Sequence, residues 1–290
     1  IACEYDDKYN SVKARDINYL SAPFFHGCIE KAKSPTQGSG DITIASPQYV
    51  GIANVIDSLI IVKQFVYDEK IVTMQELTAA VQANWSGFEE LRTLIIKKGD
   101  FFGNDTERSN SIAQRFYQSL YEFFKDKTNL FGYHRLVGDL IGYNPHHQWF
   151  GEKTAATPDG RYTGDALKFG LGQSEGKDRN GLTALINSIA RVDPNAIGCG
   201  STVTNIMLDE QLIKNDTNFN KTADLLETYF KNGGVHFQLT YVSRKDLLNA
   251  KKAPEKYKNL RVRVSGFSDY FVNLNEPLQD DIIRRTIQKE

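Results

Sequence analysis

The sequence predicts an α/β fold in which helices cover a largely parallel sheet, and three observations lead to that prediction. Residues from 47 to about 127 carry long stretches with a 3.6-residue apolar period. After residue 180, strand patterns alternate with helix patterns, which implies crossover connections and parallel strands. Between these parts, residues 128–180 are dense in glycine and aromatic residues with little periodicity, which indicates packed loops that line a site.

The N-terminal elements are predicted as follows. Residues 1–47 contain FFHGCIEKAKSPTQGSGD and have weak periodicity, so we expect a long loop there. From Pro47 the apolar positions keep helical spacing to about Asp68. Thr73 and Glu76 form a capping box that begins the next helix, and GFEELRTLIIKK and DTERSNSIAQRFYQSLYEFFKDK predict two more. Together these segments predict a helical layer.

The later elements predict the sheet. An apolar helix is expected at 182–192 and a strand near 201–207. A helix that ends at Gly233-Gly234, the strand VHFQLTYVS, a helix with Asp246 in its first turn and the strand LRVRVSG follow. Gly266 comes directly after this last strand and precedes an aromatic-rich one. On local evidence alone it predicts a hairpin turn at Ser265-Gly266.

Composition excludes several classes of protein. The chain has 290 residues, 40% of them hydrophobic, which is enough for one large or two ordinary domains. Its 35 basic and 36 acidic residues are interleaved, so we expect neither a nucleic-acid nor a membrane partner. Residues 50–66 are interrupted by Asn54, Asp57 and Lys63, and no segment predicts a membrane span or a signal peptide. We therefore expect a cytoplasmic protein.

The cysteines and histidines do not predict a metal site. Cys3, Cys28 and Cys199 are odd in number and widely spaced, which argues for a reducing compartment rather than a disulfide framework. His146 and His147 are adjacent, and neighbours on a strand point to opposite faces, so the pair does not predict zinc.

Three features carry possible chemistry: HGCIE around Cys28, TPDGR at 157–161, and Gly266. Each is weak alone, since Pro-Asp-Gly is an ordinary turn sequence and most loop thiols are inert. On an extended loop, Cys28 and Glu30 would point to the same side, which suits a sulfur and an acid/base group acting on one substrate. His26 would activate the thiol as a nucleophile, so a thiol hydrolase stays open.

Taken together, these features resemble the glycyl radical enzymes, the family of pyruvate formate-lyase, glycerol dehydratase, choline trimethylamine-lyase and the arylacetate decarboxylases. RVRVSGFSDYFVNLNEPLQDDIIRRT resembles the C-terminal radical motif, HGCIE resembles the thiyl loop, and TPDGR and NGLTALINSIARVD resemble internal segments. The resemblance extends from about residue 12 to 290. Phe267 replaces the usual tyrosine, and Lys31 stands where dehydratases often have proline.

The resemblance implies that Gly266 stores the radical. An α-carbon radical is stabilised when it spreads over the flanking amides, which requires a planar centre that a side chain would crowd. The family implies that an S-adenosylmethionine-dependent iron–sulfur activase installs the radical and that Cys28 becomes the thiyl radical. Cys199, in AIGCGS, is interpreted as a small buried residue.

The neighbours of Cys28 set the reaction class that the resemblance implies. Gly27 stands where pyruvate formate-lyases carry a second cysteine, so acyl transfer is not expected. Glu30 matches the acid/base glutamate of the dehydratases and related lyases. Asp41 lies roughly where glycerol dehydratase-like members carry a substrate-binding aspartate. His26, together with His147 and Gln148 from YNPHHQWF, completes the predicted set of substrate-binding residues.

The fold that the resemblance implies is the second half of a ten-stranded α/β barrel of the glycyl radical enzyme type. We divide the chain into a cysteine-loop segment (1–47), a helical layer and half-barrel (48–242) and a C-terminal glycyl radical segment (243–290). Half a barrel exposes strand edges and apolar surface. We therefore expect a split enzyme or a fragment, whose partners are an N-terminal half, the activase, a small-molecule substrate and a possible second copy.

The leading functional prediction is a dehydratase or carbon–heteroatom lyase acting on a small polar 1,2-substituted substrate. A radical decarboxylase is the alternative within the family. Two alternatives come from other functional classes. One is a thiol hydrolase that uses Cys28 and His26, and the other is a spare-part protein that donates a radical glycine to a damaged lyase. The polar residues of YNPHHQWF favour a hydroxylated substrate.

Overall fold

The computed structural model describes residues 1–41, 48–135, 138–139, 146–168, 170–192, 203–209, 216–264, 267–285 and 287–288. Cys199, Ser265 and Gly266 lie outside these ranges. Among the described residues, no helix is long and apolar enough to cross a bilayer.

The N-terminal segment contains a helix that its sequence pattern did not predict. Helix α1 covers Ala2–Lys13, and single turns follow at Ala22–Phe24 and Pro35–Gln37. The helix lacks a strong apolar stripe, which is why periodicity misses it. Tertiary ion pairs hold it instead: the guanidinium of Arg135, nearly buried, binds the carboxylates of Asp6 at 2.7 Å and of Asp7. The expectation of a loop over 1–47 was therefore wrong for this helix.

The predicted helical layer is confirmed, but its first helix begins at Ile52 rather than near Pro47, because residues 48–49 form a strand and Gly51 caps the helix in a left-handed conformation. Helix α2 covers Ile52–Ile61 and continues as a π-helical segment over Val62–Asp68. Helices α3 (Met74–Gln82), α4 (Glu89–Lys98) and α5 (Glu107–Phe124) follow. The capping box forms as predicted: Thr73 Oγ1 accepts from Glu76 N at 3.2 Å, and Thr73 N donates to Glu76 Oε2 at 2.8 Å.

The sheet is parallel where the sequence predicted parallel strands. Strand β1 (Gln48–Tyr49) pairs with β2 (Gly138–Asp139), and β3 (Thr204–Leu208) lies between β4 (Phe237–Tyr241) and β7 (Ile287–Gln288). Helices α6 (His146–Glu152), α7 (Gly181–Ala190), α8 (Asp216–Lys231) and α9 (Arg244–Lys252) connect or precede these strands.

The C-terminal segment forms a hairpin and a last helix. Strand β5 (Arg261–Arg263) pairs antiparallel with β6 (Ser268–Tyr270), and α10 covers Glu276–Arg284. Beyond the strands, Val264 N donates to Phe267 O at 3.0 Å. This pairing places β5 and β6 side by side, and the predicted turn at Ser265-Gly266 lies outside the described residues.

Strand β3 is buried on both faces, as expected for a parallel strand covered by helices. Ile206 and Leu208 pack with α2, α5, α7 and α8 in one apolar cluster. Met207 faces the opposite way and packs with side chains of the C-terminal segment, among them Val262, Val264 and Phe271. The hairpin is thus fixed against the inner face of the central strand.

Candidate active site

The cysteine loop, residues 25–41, is built from consecutive tight turns. Cys28 N donates to Phe25 O at 3.4 Å, Lys31 N to Gly27 O at 3.2 Å, and Lys33 N to Cys28 O at 3.1 Å. The serine at the next turn, Ser34, is buried and forms a capping box with Gln37. The loop is therefore a defined structure rather than an extended segment.

The thiol of Cys28 lies inside this loop. Its residue is 1% exposed, and its Sγ lies 3.1 Å from the Oγ of Ser39, which is itself 2% exposed. The same Oγ lies 2.9 Å from Lys33 O and 2.8 Å from Ser34 O, so the hydroxyl closes the loop on itself. A buried thiol on a hydroxyl is shielded from bulk water, which a sulfur-centred radical requires.

Asp41 meets the start of the loop. Asp41 N donates to His26 O at 3.1 Å, and the Asp41 carboxylate lies 3.7 Å from His26 Nδ1 and 3.9 Å from Lys31 Nζ. Gly27, with φ +83°, lies directly beneath: a Cβ there would come within 2.4 Å of Asp41 Oδ1 and 3.0 Å of Ser39 O. The structure thus brings the predicted residues His26 and Asp41 together.

The expectation of an extended loop, from which a shared face for Cys28 and Glu30 was argued, was wrong. The loop is built from turns, and within it Cys28 is buried whereas Glu30 is exposed. His26 is also turned outward, with its side chain 96% exposed, and the hydrogen-bond partner of the thiol is Ser39. The geometry needed for a Cys28–His26 nucleophile pair is absent among the described residues.

His147 and Gln148 begin helix α6 rather than lying on a strand or loop. His147 is buried, and its Nε2 lies 4.0 Å from Asp281 Oδ2 on α10. Burial lowers the pKa of His147, and the nearby carboxylate of Asp281 offsets this effect only in part. Gln148 is half-buried. This placement turns His147 toward the C-terminal segment.

The TPDGR segment belongs to a second polar cluster, which we call the carboxylate clasp: Asn54, Asp57, Asp159, Ser174 and Lys177. Lys177 Nζ lies 2.6 Å from Asp159 Oδ2 and 3.8 Å from Asp57 Oδ2. Asn54 Nδ2 donates to Asp159 at 3.2 Å, and Ser174 Oγ donates to Asp57 at 2.6 Å. The clasp ties α2 to two of the loops that follow α6.

The two carboxylates of the clasp ionise differently although both are 0% exposed. Desolvation raises the pKa of Asp57 to about 6 and outweighs the distant Lys177. Desolvation acts on Asp159 as well, but the closer Lys177 and the hydrogen bonds from Thr157 and Asn54 overcome it and lower its pKa. Asp57 lies farther from Lys177 than Asp159 does, and the negative charge of Asp159 raises the pKa of Asp57 further.

Sequence reasoning missed Ser39 and most of the clasp. Ser39 gave no signal because loop serines are common. Asp57 did give a sequence signal, because an acidic residue at an otherwise apolar helix position needs a buried polar partner. Within the described part of the chain, no three His, Cys, Asp or Glu side chains are grouped to hold a metal ion.

Two family models match the chain. A pyruvate formate lyase-like model matches residues 13–138, and a glycine radical model matches residues 167–272, a range that includes Gly266.

Individual proteins show the same similarity. The trans-4-hydroxy-L-proline dehydratase of Clostridioides difficile is 34% identical over 93% of this chain and 34% of its own length. The isethionate sulfite-lyase of Oleidesulfovibrio alaskensis is 32% identical over 82% of this chain and 29% of its own. The glycerol-bound structure of the B12-independent glycerol dehydratase from Clostridium butyricum superposes with a TM-score of 0.90 at 32% identity, covering 99% of this chain and 36% of that one. The chain thus spans about a third of the length of these relatives, and its fold is that part of their barrel.

Proposed function

We propose that this chain, which belongs to the glycyl radical enzyme family, carries the radical machinery of a dehydratase or related carbon–heteroatom lyase. The observation that carries the proposal is the buried thiol of Cys28 in a closed loop, on a chain whose glycine radical match includes Gly266. The substrate class is a small polar molecule with a hydroxyl and a leaving group on adjacent carbons. Similar proteins that are named dehydratases and a sulfite-lyase support this class.

Three residues take the chemical roles. Cys28 gives its thiol hydrogen to the radical centre at Gly266, and the resulting thiyl radical takes one hydrogen atom from the hydroxyl-bearing carbon of the substrate. Loss of that hydrogen acidifies the hydroxyl, and Glu30 accepts its proton. The leaving group departs from the adjacent carbon with the bonding electron pair. The product radical then takes the hydrogen atom back from Cys28.

The placement of the other residues supports a radical thiol over a hydrolytic one. A nucleophilic cysteine needs a base within hydrogen-bond reach, but His26 is turned outward and pairs with Asp41. The Cys28 thiol instead contacts the hydroxyl of Ser39 and is buried away from water. Exposed Glu30, Asp41 and His26 are then free to face a substrate bound above the loop.

Apolar side chains around the cysteine loop support a covering polypeptide. Leu20 and Phe24 are 88% and 85% exposed, and Phe25 and Ile29 are also exposed. A patch of this kind next to a buried thiol marks a contact surface. We propose that the N-terminal part of the barrel covers it, either on the same polypeptide or on another.

We retain the predicted division into segments 1–47, 48–242 and 243–290 as part of this proposal. The radical is installed by an S-adenosylmethionine-dependent iron–sulfur activase, and the protein works in the cytoplasm of an anaerobic cell. A homo-oligomer is a further proposed assembly.

The test is anaerobic activation of the complete enzyme with S-adenosylmethionine and a radical-SAM activase. We expect a doublet in the electron paramagnetic resonance spectrum from the single α-hydrogen of Gly266, and cleavage of the chain at that residue in air. The Gly266→Ala variant should give neither. An uncut chain after confirmed activation would remove the radical assignment.

Assays of the activated enzyme then identify the reaction. Vicinal diols, hydroxylated amino acids and hydroxyalkanesulfonates test elimination, and arylacetates test decarboxylation through released carbon dioxide. Turnover of an arylacetate without elimination from any hydroxylated substrate would replace the lyase assignment by the decarboxylase.

A further inference from the structure

A buried arginine lies between the last helix and the strand that leads to Gly266. Arg285 follows α10 directly and is 5% exposed. Its Nη1 donates to Arg263 O at 3.1 Å, and its Nη2 donates to Val264 O at 2.9 Å. One planar guanidinium thus holds two successive carbonyl groups at the end of β5.

The second of these carbonyl groups belongs to Val264, the last described residue before Gly266. The Val264 oxygen belongs to the peptide group that joins Val264 to Ser265, the residue before Gly266. A planar peptide moves as a unit, so a hydrogen bond to its oxygen fixes its orientation. The same strand is also held by β6 and by the bond from Val264 N to Phe267 O. Arg285 completes the fixation of the strand end.

Arg285 is itself held from several sides. Asp281, one helical turn earlier and 4% exposed, accepts from Arg285 Nη2 at 3.0 Å. Arg244 Nη2 donates to Arg285 O at 3.0 Å, and two residues later β7 pairs with β3. The arginine therefore ties the strand before Gly266 to the central sheet.

The charge of Asp281 is maintained despite its burial. Desolvation raises the pKa of Asp281, but the opposing effects of Arg285, His147 and Lys168 are together larger, so its pKa stays below the usual value. An ionised carboxylate can hold the guanidinium in place throughout the neutral range.

We infer that Arg285 is a positioning residue for the Gly266 radical centre and that Asp281 acts through Arg285. This inference rests on the proposed radical function, because it assigns Arg285 the task of keeping Gly266 within hydrogen-transfer distance of Cys28. Its side-chain contacts named above are with two backbone carbonyl groups and with Asp281. His147, which contacts Asp281 from α6, becomes part of this support rather than a substrate ligand.

Matched substitutions in the complete enzyme test the inference. The test variant is Arg285→Ala, and Arg284→Ala is its control because Arg284 is adjacent but exposed. Arg285→Lys keeps the charge but loses the two-pronged geometry. Asp281→Asn removes the charge that holds the guanidinium and serves if Arg285→Ala does not fold.

Three measurements are made on each variant: amide hydrogen exchange over residues 261–268 before activation, the glycyl radical signal, and turnover per radical. For Arg285→Ala we expect exchange at least about tenfold faster and a radical that still forms. Turnover per radical should fall by about 10²-fold, the cost of misplacing reacting groups by about 1 Å. The KM should stay within about twofold, Arg285→Lys should be intermediate, and Arg284→Ala should match the wild type.

The outcomes separate the two hypotheses. Equal turnover per radical in Arg285→Ala and Arg284→Ala would overturn the positioning role while leaving the radical function intact. If the wild type itself forms no radical, the proposed function fails. In that case the exchange measurement decides whether Arg285 holds the strand, and equal exchange in the two variants overturns the inference.

Discussion

The cysteine loop and the carboxylate clasp are both short polar segments of the kind that family resemblance singles out, but they are built in opposite ways. In the clasp, the charged groups are buried and satisfied by one another. In the cysteine loop, one thiol is buried while the acid/base and binding candidates Glu30, His26 and Asp41 face outward. Clasp residues line a cavity but are bonded to one another, whereas the polar candidates of the loop face solvent.

The difference indicates which segment works on substrate and which one supports the fold. Changes in the cysteine loop should affect turnover and leave folding nearly intact. Changes in the clasp should affect the free energy of unfolding and leave turnover per folded molecule nearly intact. The following predictions test that division, from the largest expected effect to the smallest.

The largest effect is expected for Cys28→Ser in the complete, activated enzyme. An O–H bond is too strong for a glycyl radical to open, so turnover should be lost while the radical signal persists. Electron paramagnetic resonance and product analysis on the same sample measure both. Cys3→Ser, a change of the same chemistry outside the loop, should leave turnover unchanged. Retained turnover in Cys28→Ser would exclude this cysteine from the relay.

Glu30→Gln should keep the radical signal and lower elimination by about 10²–10⁴-fold, the usual contribution of an acid/base group. Glu90→Gln, at an exposed glutamate of α4, is the control. Steady-state kinetics with the best elimination substrate measures the loss. Wild-type rates in Glu30→Gln would contradict the base role and leave the relay between Gly266 and Cys28 in place.

In the clasp, Asp159→Asn should lower the free energy of unfolding by about 3–5 kcal/mol, because it leaves Lys177 without its near counter-charge. Urea unfolding of the protein that contains this chain measures the change. Asp165→Asn, at an exposed acid of the same segment, should cost little. If Asp159→Asn lowered turnover per folded molecule instead of stability, the clasp would belong to the active site.

Asp57→Asn should be milder, costing about 1 kcal/mol at pH 4, where Asp57 is protonated, because hydrogen bonds to Ser174 and Phe102 N can be kept. The raised pKa, about 6, means that folding takes up a proton here. This stabilising contribution is complete below the unfolded value of about 3.8 and is lost as pH rises through 6. Unfolding free energies between pH 4 and 7 should therefore fall less steeply in Asp57→Asn than in the wild type. Parallel curves would show that Asp57 does not titrate in this window.

Local patterns predicted the helical layer well, because each signal involves residues close in the chain. The Thr73–Glu76 capping box and the apolar spacing of α2 depend only on neighbouring residues, and both formed, although α2 begins at Ile52 rather than near Pro47. The sequence pattern did not predict helix α1, for the converse reason. Its stability comes from Arg135, more than 120 residues away, and no local period records such a contact.

The candidate site also has features that the sequence predicted and features that it did not. The sequence identified Cys28, Glu30 and Gly266 through a motif resemblance, and the two family models match the segments that contain them. It assumed an extended loop around Cys28 and Glu30, whereas the loop consists of turns that Ser39 closes, with Cys28 buried and Glu30 exposed.

By itself, therefore, the sequence determined the family, the α/β class and the residue types available for radical chemistry, since these follow from motifs and short-range periodicity. Only the tertiary structure decided which side chains are buried and what they bind. Ser39 on the thiol, Lys177 between two carboxylates and Arg285 on the strand before Gly266 are contacts made by folding. The energies of charge interactions and hydrogen bonds depend on distance and burial. Both are set only when segments that are far apart in the sequence pack together.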